Sequence, residues 1–234
     1  MSRNSTLLWA LALLTALSAA GVTLALNGQW IRLHFPSVLA ASTCFVALPI
    51  AGGALSTAYG RFLVAGLVAF WVGDVLGGQH YLLGMVFFCM GHAGFICAFA
   101  ARGIERKRIL TALPPMILVV ATILRWLLPH VNQPIDVFAV CTYSTVIGIM
   151  VLTAFGASGG TAGKLILTAA LTIFVSDIFV ARWRYVNPEV LNGYIVYPLY
   201  YAACLLLGFS ALSGRQRRQD LRLTAKTDEP QPTC

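Results

Sequence analysis

Two aspartates lie in the middle of long apolar runs, Asp74 within residues 69–76 and Asp177 within residues 172–179. A carboxylate buried in lipid is costly, so an acid inside a membrane span marks a functional site by default. Two carboxyl groups close together in a medium of low dielectric do not both ionise readily, so one would be neutral and one ionised near neutral pH. Such a pair could supply a general acid and a general base from two identical side chains.

The two aspartate segments align without a gap at an offset of 103 residues, which is the separation of Asp74 and Asp177. The upstream matches at this offset are Gly53 and Ala54 with Gly156 and Ala157, and Gly60 and Arg61 with Gly163 and Lys164. In each copy the basic residue precedes the aspartate by thirteen positions, about 20 Å along a helix axis. Both carboxylates would therefore lie at a similar depth in a hydrocarbon core about 30 Å thick.

The composition is typical of a membrane protein. Of the 234 residues, 59% are hydrophobic and 10% are charged, and the mean hydropathy is +0.80, whereas soluble domains are about a quarter charged. Long apolar runs predict an all-α fold, a polytopic bundle of eight transmembrane helices. The predicted spans cover about residues 6–26, 35–55, 61–78, 81–101, 109–129, 135–156, 164–182 and 191–212.

Two of the eight spans have alternative interpretations. The first could be a signal peptide, since residues 18–20 resemble a small-residue cleavage site. Its apolar stretch exceeds the ~7–15 residues of a signal core, so we predict a transmembrane helix. The span 35–55 contains Pro36 and Pro49, which would bend it. Without that span the protein would have seven transmembrane helices, and every later loop would lie on the opposite side of the membrane.

The basic residues are distributed unevenly between the two ends of the spans. With the N-terminus in the cytoplasm, twelve of the 16 Lys and Arg lie on the inner side and four on the outer side. This asymmetry favours eight spans with both termini cytoplasmic. The four outer residues are Arg32, Arg125, Arg182 and Arg184. Topology and affinity for anionic lipid account for the net charge of +8, so no nucleic-acid partner is expected.

The predicted domain organisation is one membrane domain, residues 1–213, followed by a disordered basic cytoplasmic tail, residues 214–234. Asp74 falls on the third span and Asp177 on the seventh, so their helices run in the same direction. An offset of four spans predicts a parallel internal repeat of two four-helix units. Parallel repeats occur in transporters, so the repeat alone does not distinguish an enzyme from a carrier.

Few other residues inside the spans could take part in chemistry. His92 is the only histidine well inside a span, and it fits a structural role and a place in a polar site equally well. Tyr143 and the tyrosines of the last span offer hydroxyls, although most such tyrosines pack or lie at the membrane interface. Five cysteines in apolar runs form no Cys-x-x-Cys pair and are interpreted as packing residues. The sequence predicts no metal site.

The alternative for the two aspartates is structural: a buried acid that is paired with an Arg, or satisfied by hydroxyls, and fixes helix packing. No Lys or Arg lies at mid-depth in a predicted span to provide that partner. Arg125 is close to a helix end and is expected to pair with Asp136 across the short loop 129–134. The functional interpretation of the aspartates is therefore favoured.

This order of motifs resembles the YhhN-like lysoplasmalogenase family over about residues 61–207. The motifs are Gly73-Asp74 in the third span, His92 in the fourth, Tyr143 with Met150 in the sixth, Ser176-Asp177 in the seventh and residues 199–203 in the last. The departures from the family are Phe35-Pro36-Ser37 in place of Lys-Pro-Leu, Phe95 in place of a tyrosine and Cys204 in place of a glutamine.

The resemblance implies hydrolysis of the vinyl-ether bond of lysoplasmenyl-ethanolamine or -choline to a fatty aldehyde and a glycerophospho-base. It implies Asp74 and Asp177 as the catalytic residues. We expect Asp74 to be the acid, because Ser176 can hydrogen-bond in the surroundings of Asp177. The implied supporting or substrate-binding residues are His92, Tyr143, Ser176 and Tyr200. No metal or organic cofactor is expected. The expected partners are a lysophospholipid substrate and membrane lipid, a homodimer is allowed, and a bacterial inner membrane is the expected location.

Two other functions fit the same residues. In a proton-coupled carrier, the two acids would form a relay and a substrate site, with broken helices and water access to both faces. In a non-catalytic scaffold, the two aspartates would only hydrogen-bond to fix the bundle. Replacing aspartate with asparagine distinguishes these cases, since it abolishes acid–base chemistry but often preserves hydrogen bonding and folding.

Overall fold

The computed structural model describes residues 3–28 and 30–227, with side chains described over residues 5–28 and 30–213. These residues contain eight long α-helices and no strand. The helices are α1 (Arg3–Ala25), α2 (Ile31–Ala51), α3 (Ala58–Gly77), α4 (Tyr81–Arg102), α5 (Arg106–Leu127), α6 (Pro134–Gly156), α7 (Gly160–Ala181) and α8 (Leu191–Thr227). All eight are long and apolar enough to cross a membrane. The predicted all-α fold with eight spans is confirmed.

Helix α2 contains both prolines that made its span uncertain. Pro36 and Pro49 lie towards its two ends, so the middle of the helix, where Ser42 is located, keeps its regular hydrogen bonds. Helix α1 packs into the bundle through Val22 and Ala25, which are fully buried. The first two predicted spans are thus both helices of the bundle.

Helices α3 and α4 form the closest pair in the bundle because glycines face each other along their contact. A Cβ added at Gly84 would lie 2.5 Å from the Cα of Gly77, and one added at Gly94 would lie 2.9 Å from the Cα of Gly66. Small residues allow two helix backbones to approach in this way. Across this close pair Phe70 of α3 contacts His92 of α4, with ring centroids 5.1 Å apart.

The predicted internal repeat is visible in the turns that lead into α3 and α7. The carbonyl oxygen of Ala54 lies where a Cβ of Gly60 would stand, and the carbonyl oxygen of Ala157 lies 2.6 Å from a Cβ built on Gly163. Ala54 and Ala157, like the two glycines, are equivalent at the offset of the aspartates. In both copies, therefore, a backbone carbonyl of the preceding turn packs against a glycine near the start of the aspartate helix.

The end of the bundle where α4 ends and α5 begins is held by polar contacts between two loops. Arg102 Nη2 donates to the carbonyl of Gly159 at 3.1 Å, and Arg108 Nη1 donates to Ser158 Oγ at 2.9 Å. Arg108 also pairs with Glu105 at 2.6 Å. The basic cluster predicted for the inner side of the membrane therefore also joins the two halves of the chain.

Helix α8 is longer than its predicted span. The part that could cross a membrane is Leu191–Ser213, and the backbone of residues 214–227 continues the same helix. The sequence predicts a disordered tail from residue 214 onwards, and this stays a prediction. Residues 228–234, which belong to the same predicted tail, lie outside the described residues.

Candidate active site

A cavity of ≈ 330 Å³ lies between helices α2 to α8, in the half of the bundle where α3, α5 and α7 end. Asp74 and Asp177 both line it. Most of its wall is apolar or aromatic, and the helix ends at Gly78, Tyr81 and Trp183 form its rim. The two predicted catalytic residues therefore share one intramembrane cavity.

Asp74 is held by two hydroxyl groups from helices on either side of α3. Ser42 of α2, which is fully buried, donates to Oδ2 of Asp74. Tyr200 of α8 donates to the same oxygen at 3.0 Å. The second carboxyl oxygen, Oδ1, receives no hydrogen bond from the residues in the described ranges, so it remains available to a bound molecule.

Asp177 is held by a phenol and an imidazole. The hydroxyl of Tyr143 on α6 donates to Oδ2 of Asp177 at 3.0 Å, and Nε2 of His92 on α4 lies 3.3 Å from that oxygen. Nε2 of His92 is also 3.0 Å from the hydroxyl of Tyr143. The three side chains therefore form a closed triangle, with His92 fully buried and the side chain of Asp177 18% exposed.

The surroundings of the second ring nitrogen of His92 indicate which nitrogen carries the proton. Nδ1 is buried and has no hydrogen-bond partner within the described part of the chain. A proton on Nε2 lets the imidazole donate to the hydroxyl of Tyr143, whereas a proton on Nδ1 would be buried without an acceptor. His92 therefore lies within the polar site, hydrogen-bonded to Tyr143 and 3.3 Å from the carboxylate of Asp177.

The partners of the two aspartates follow the internal repeat. Taking α1–α4 and α5–α8 as the two units, each aspartate lies on the third helix of its unit. Each receives one hydrogen bond from the second helix of the same unit, and its other contact comes from the fourth helix of the other unit. The two carboxyl sites are thus related by a pseudo-two-fold arrangement, although their donor types differ.

Aromatic rings fill the space between the two carboxyl sites. Phe70 lies at their centre, with its ring centroid 5.1 Å from that of His92 and 5.7 Å from that of Tyr200. Phe88 completes this layer at 5.2 Å from Phe70. These rings lower the local dielectric beside the polar groups and so strengthen their electrostatic interactions.

Two expectations about polar contacts differ from the structure. Ser176 is buried, and its hydroxyl donates to the backbone carbonyl of Val196 at 3.2 Å. It therefore ties α7 to α8, and the predicted hydrogen bond in the surroundings of Asp177 comes from Tyr143 instead. The second expectation is an ion pair between Arg125 and Asp136. The ion pairs among the described side chains are His92–Asp177 and Glu105–Arg108, and this pair is not one of them.

Sequence reasoning missed two residues of the cavity region, Ser42 and His34. Ser42 precedes Asp74 by 32 positions, whereas Tyr143 precedes Asp177 by 34, so the offset of 103 pairs Tyr143 with Ala40 and does not point to Ser42. Nε2 of His34 lies 3.2 Å from the hydroxyl of Tyr197, one of the tyrosines of the last span, and both residues line the cavity. No sequence signal indicated this pair.

The described residues contain no group of three or more His, Cys, Asp or Glu side chains that could bind a metal ion. The polar groups of the cavity are instead arranged as carboxyls with hydroxyl and imidazole donors. Such groups can donate and accept protons and can hold a polar part of a ligand.

The fold and the cavity define a class of protein, a polytopic membrane protein of eight helices with a paired-aspartate site inside the membrane. The model of the YhhN family matches residues 31–211, and the chain belongs to this family. No curated protein and no solved structure matches the chain. The matched region runs from α2 into α8, so it contains every side chain of the site described above.

Proposed function

We propose that this protein is an integral-membrane lysoplasmalogenase, which hydrolyses the vinyl-ether bond of lysoplasmalogens by acid–base catalysis. One observation carries the proposal. Asp74 and Asp177, each bound by two polar side chains, line a single cavity whose walls are otherwise largely apolar. A cavity of this kind suits a lipid with one chain, because its apolar wall accepts the alkenyl group and its carboxyls reach the ether end. Membership of the YhhN family supports the same class of reaction.

The different partners of the two carboxyls support a division of roles. Asp177 accepts a hydrogen bond from the phenol of Tyr143, which itself bonds to His92, and the imidazole of His92 lies 3.3 Å from the carboxylate, so both neighbours favour its ionised form. Asp74 faces only hydroxyls, which can accept as well as donate and therefore suit a protonated carboxyl. We therefore assign Asp74 as the general acid and Asp177 as the general base.

The reaction then proceeds through an oxocarbenium ion. Asp74 donates its proton to the β-carbon of the vinyl ether, which places a positive charge on the carbon–oxygen unit. The carboxylate of Asp177 stabilises this charge, removes a proton from water and directs the hydroxyl to the α-carbon, giving a hemiacetal. The hemiacetal hydroxyl returns a proton to Asp74 while Asp177 protonates the glycerol oxygen. The carbon–oxygen bond then breaks to release the aldehyde and the glycerophospho-base.

The orientation in the membrane is part of the proposal. The ends of α4 and α5 that carry Arg102 and Arg108 lie at the opposite end of the bundle from the rim of the cavity. Basic loops stay in the cytoplasm. We therefore place both termini in the cytoplasm of a bacterial cell, the protein in its inner membrane, and the rim of the cavity at the outer face.

Aldehyde release from lysoplasmenylethanolamine by the purified protein in detergent tests the proposal. Loss of an acid or base of this kind lowers the rate by roughly 10²–10⁴-fold, so Asp74→Asn and Asp177→Asn should both be inactive while eluting as monodisperse protein. Asp136→Asn is the matched control, since Asp136 lies at the start of α6 and outside the cavity lining. A well-folded wild-type protein that releases no aldehyde would refute the vinyl-ether assignment and favour the carrier.

A further inference from the structure

The rim of the cavity contains an irregular helical turn. Helix α7 ends at Ala181 and continues as a π-helical turn, Arg182–Val186. The N–H of Asn187 donates to the carbonyl of Arg182 at 2.8 Å, five residues earlier, as in a π-helix. Such turns are frequent at functional sites because they shift side chains relative to a regular helix. Here the turn directs Trp183 and Tyr185 into the lining of the cavity.

Arg184, between these two aromatic residues, is held on a third ring. Its Cζ lies 4.6 Å from the centroid of the ring of Tyr81, the first residue of α4, and Tyr81 also lines the cavity. A cation–π contact positions a guanidinium without neutralising it. The ion pairs among the described side chains do not involve Arg184, and its side chain is exposed. Arg184 is not itself one of the lining residues, but its neighbours Trp183 and Tyr185 and its ring partner Tyr81 are, so a positioned positive charge lies beside the rim of the cavity.

Arg182, in the same turn, has a different role. Its Nη1 donates to Oδ1 of Asn192 at 2.6 Å, and the amide of Asn192 in turn donates to the carbonyls of Asn187 and Glu189. Asn192 is fully buried. Arg182 thus closes the loop between α7 and α8, which leaves Arg184 as the arginine of this turn that can bind a ligand.

We propose that Arg184, supported by Tyr81, binds the phosphate of the substrate, and so restricts the enzyme to phosphate-bearing lipids. This inference rests on the proposed function. Arg184 follows Asp177 by seven residues, about 10 Å along a helix. A flexible arginine side chain at that separation can reach the phosphate of a glycerolipid whose ether end is at the carboxyls. The planar guanidinium also matches phosphate by forming two parallel hydrogen bonds.

Binding of two ether lipids that cannot be hydrolysed tests this assignment separately from catalysis. The first is 1-O-hexadecyl-glycerophosphoethanolamine, and the second is 1-O-hexadecylglycerol, which has the same chain and ether but no phosphate. Their Kd values would be measured on the full-length protein in nanodiscs. Arg184→Gln should weaken binding of the phospholipid about tenfold, the value of one charge-assisted hydrogen bond, and leave binding of the neutral lipid unchanged. The Kd of the Arg184→Lys protein for the phospholipid should lie between those of the wild type and of Arg184→Gln.

Arg125→Gln is the matched control, because Arg125 lies at the same end of the bundle, in the last turn of α5, and neither of its neighbours Leu124 and Trp126 lines the cavity. It should bind both lipids as the wild type does. Equal weakening of both lipids by Arg184→Gln, or an unchanged Kd for the phospholipid, would overturn the assignment. Since neither lipid has a vinyl-ether bond, this result does not depend on aldehyde release, and a failure of the proposed function is seen only in the hydrolysis assay.

Discussion

The ring of Tyr200 stacks on the ring of Phe70, with centroids 5.7 Å apart and planes inclined by 27°. Tyr200 in turn donates its hydroxyl to Asp74, and Phe70 lies one turn before Asp74 on the same helix. The position of the donor is therefore set by an apolar contact as much as by the hydrogen bond itself. Phe70 has room for this contact because α4 presents a glycine to it.

That glycine, Gly91, gives the first prediction. A Cβ at this position would meet the ring of Phe70, with Cε1 at 2.5 Å, and the carbonyl of Gly66 at 2.9 Å. Overpacking of this kind costs about 1–3 kcal/mol. Gly91→Ala should therefore lower the thermal stability of the protein in detergent and, because Phe70 moves against Tyr200, also lower kcat for aldehyde release. The stability control is Gly77→Ala, where the added Cβ meets only the Cα of Gly84 at 3.8 Å. Equal thermal stabilities of the Gly91→Ala and Gly77→Ala proteins would contradict the packing argument.

The second prediction concerns the triangle around Asp177. Tyr143→Phe removes the hydroxyl that lies 3.0 Å from the carboxylate and 3.0 Å from His92. A lost hydrogen bond to a charged group costs about 1.5–3 kcal/mol, so kcat should fall by about tenfold or more. Tyr194→Phe is the matched control, because the hydroxyl of Tyr194 donates to Asn27 and Tyr194 does not line the cavity. If Tyr143→Phe retained full activity, Asp177 would not depend on this donor.

The third prediction concerns Ser42, which the sequence did not reveal. Ser42→Ala removes one of the two hydroxyls that bind Asp74 and leaves Tyr200 as the other. The expected result is a lower kcat with little change in KM, because the loss affects the proton donor and not the lipid-binding wall. Thr43→Ala, at the neighbouring position, removes a hydroxyl that accepts from Trp71 and should leave kcat close to the wild-type value. A change in KM alone would instead place Ser42 in substrate binding.

The fourth prediction tests the orientation. A green fluorescent protein fused after Cys234 should fluoresce in a bacterial host, because that fusion folds in the cytoplasm, where both termini are placed. An alkaline phosphatase fused at the same position should be inactive, since it requires the oxidising outer compartment. The reverse pattern would turn the rim of the cavity towards the cytoplasm.

The number and placement of the helices could be predicted from the sequence because a membrane span is a local property. Each of the eight spans is defined by its own apolar length, and even α2 forms despite Pro36 and Pro49. The contacts of the polar side chains, in contrast, depend on residues of other helices that are distant in the sequence. Ser176 and Asp177 are adjacent, but Ser176 bonds to Val196 while Asp177 faces Tyr143. The direction of each side chain depends on which helix packs beside it.

The same reason explains which parts of the site were predicted. Asp74 and Asp177 stand out because a carboxyl inside an apolar run is rare and costly. Ser42 does not stand out, because a serine in an apolar helix can satisfy its hydroxyl on its own backbone. The expected pair Arg125 and Asp136 fails for a related reason, since closeness along a short loop does not determine where the exposed Arg125 and the half-buried Asp136 point.

The position of the cavity inside the bundle also determines how substrate concentration should be expressed. Helix α5 contributes Val120, Ile123 and Leu127 to the wall, yet it has the smallest buried share of the eight spans, so a single helix separates the cavity from lipid. A lipid substrate already resides in the bilayer and arrives by two-dimensional diffusion. The rate should therefore follow the mole fraction of lysolipid in the membrane, and adding inert phospholipid at constant total substrate should slow the enzyme by surface dilution.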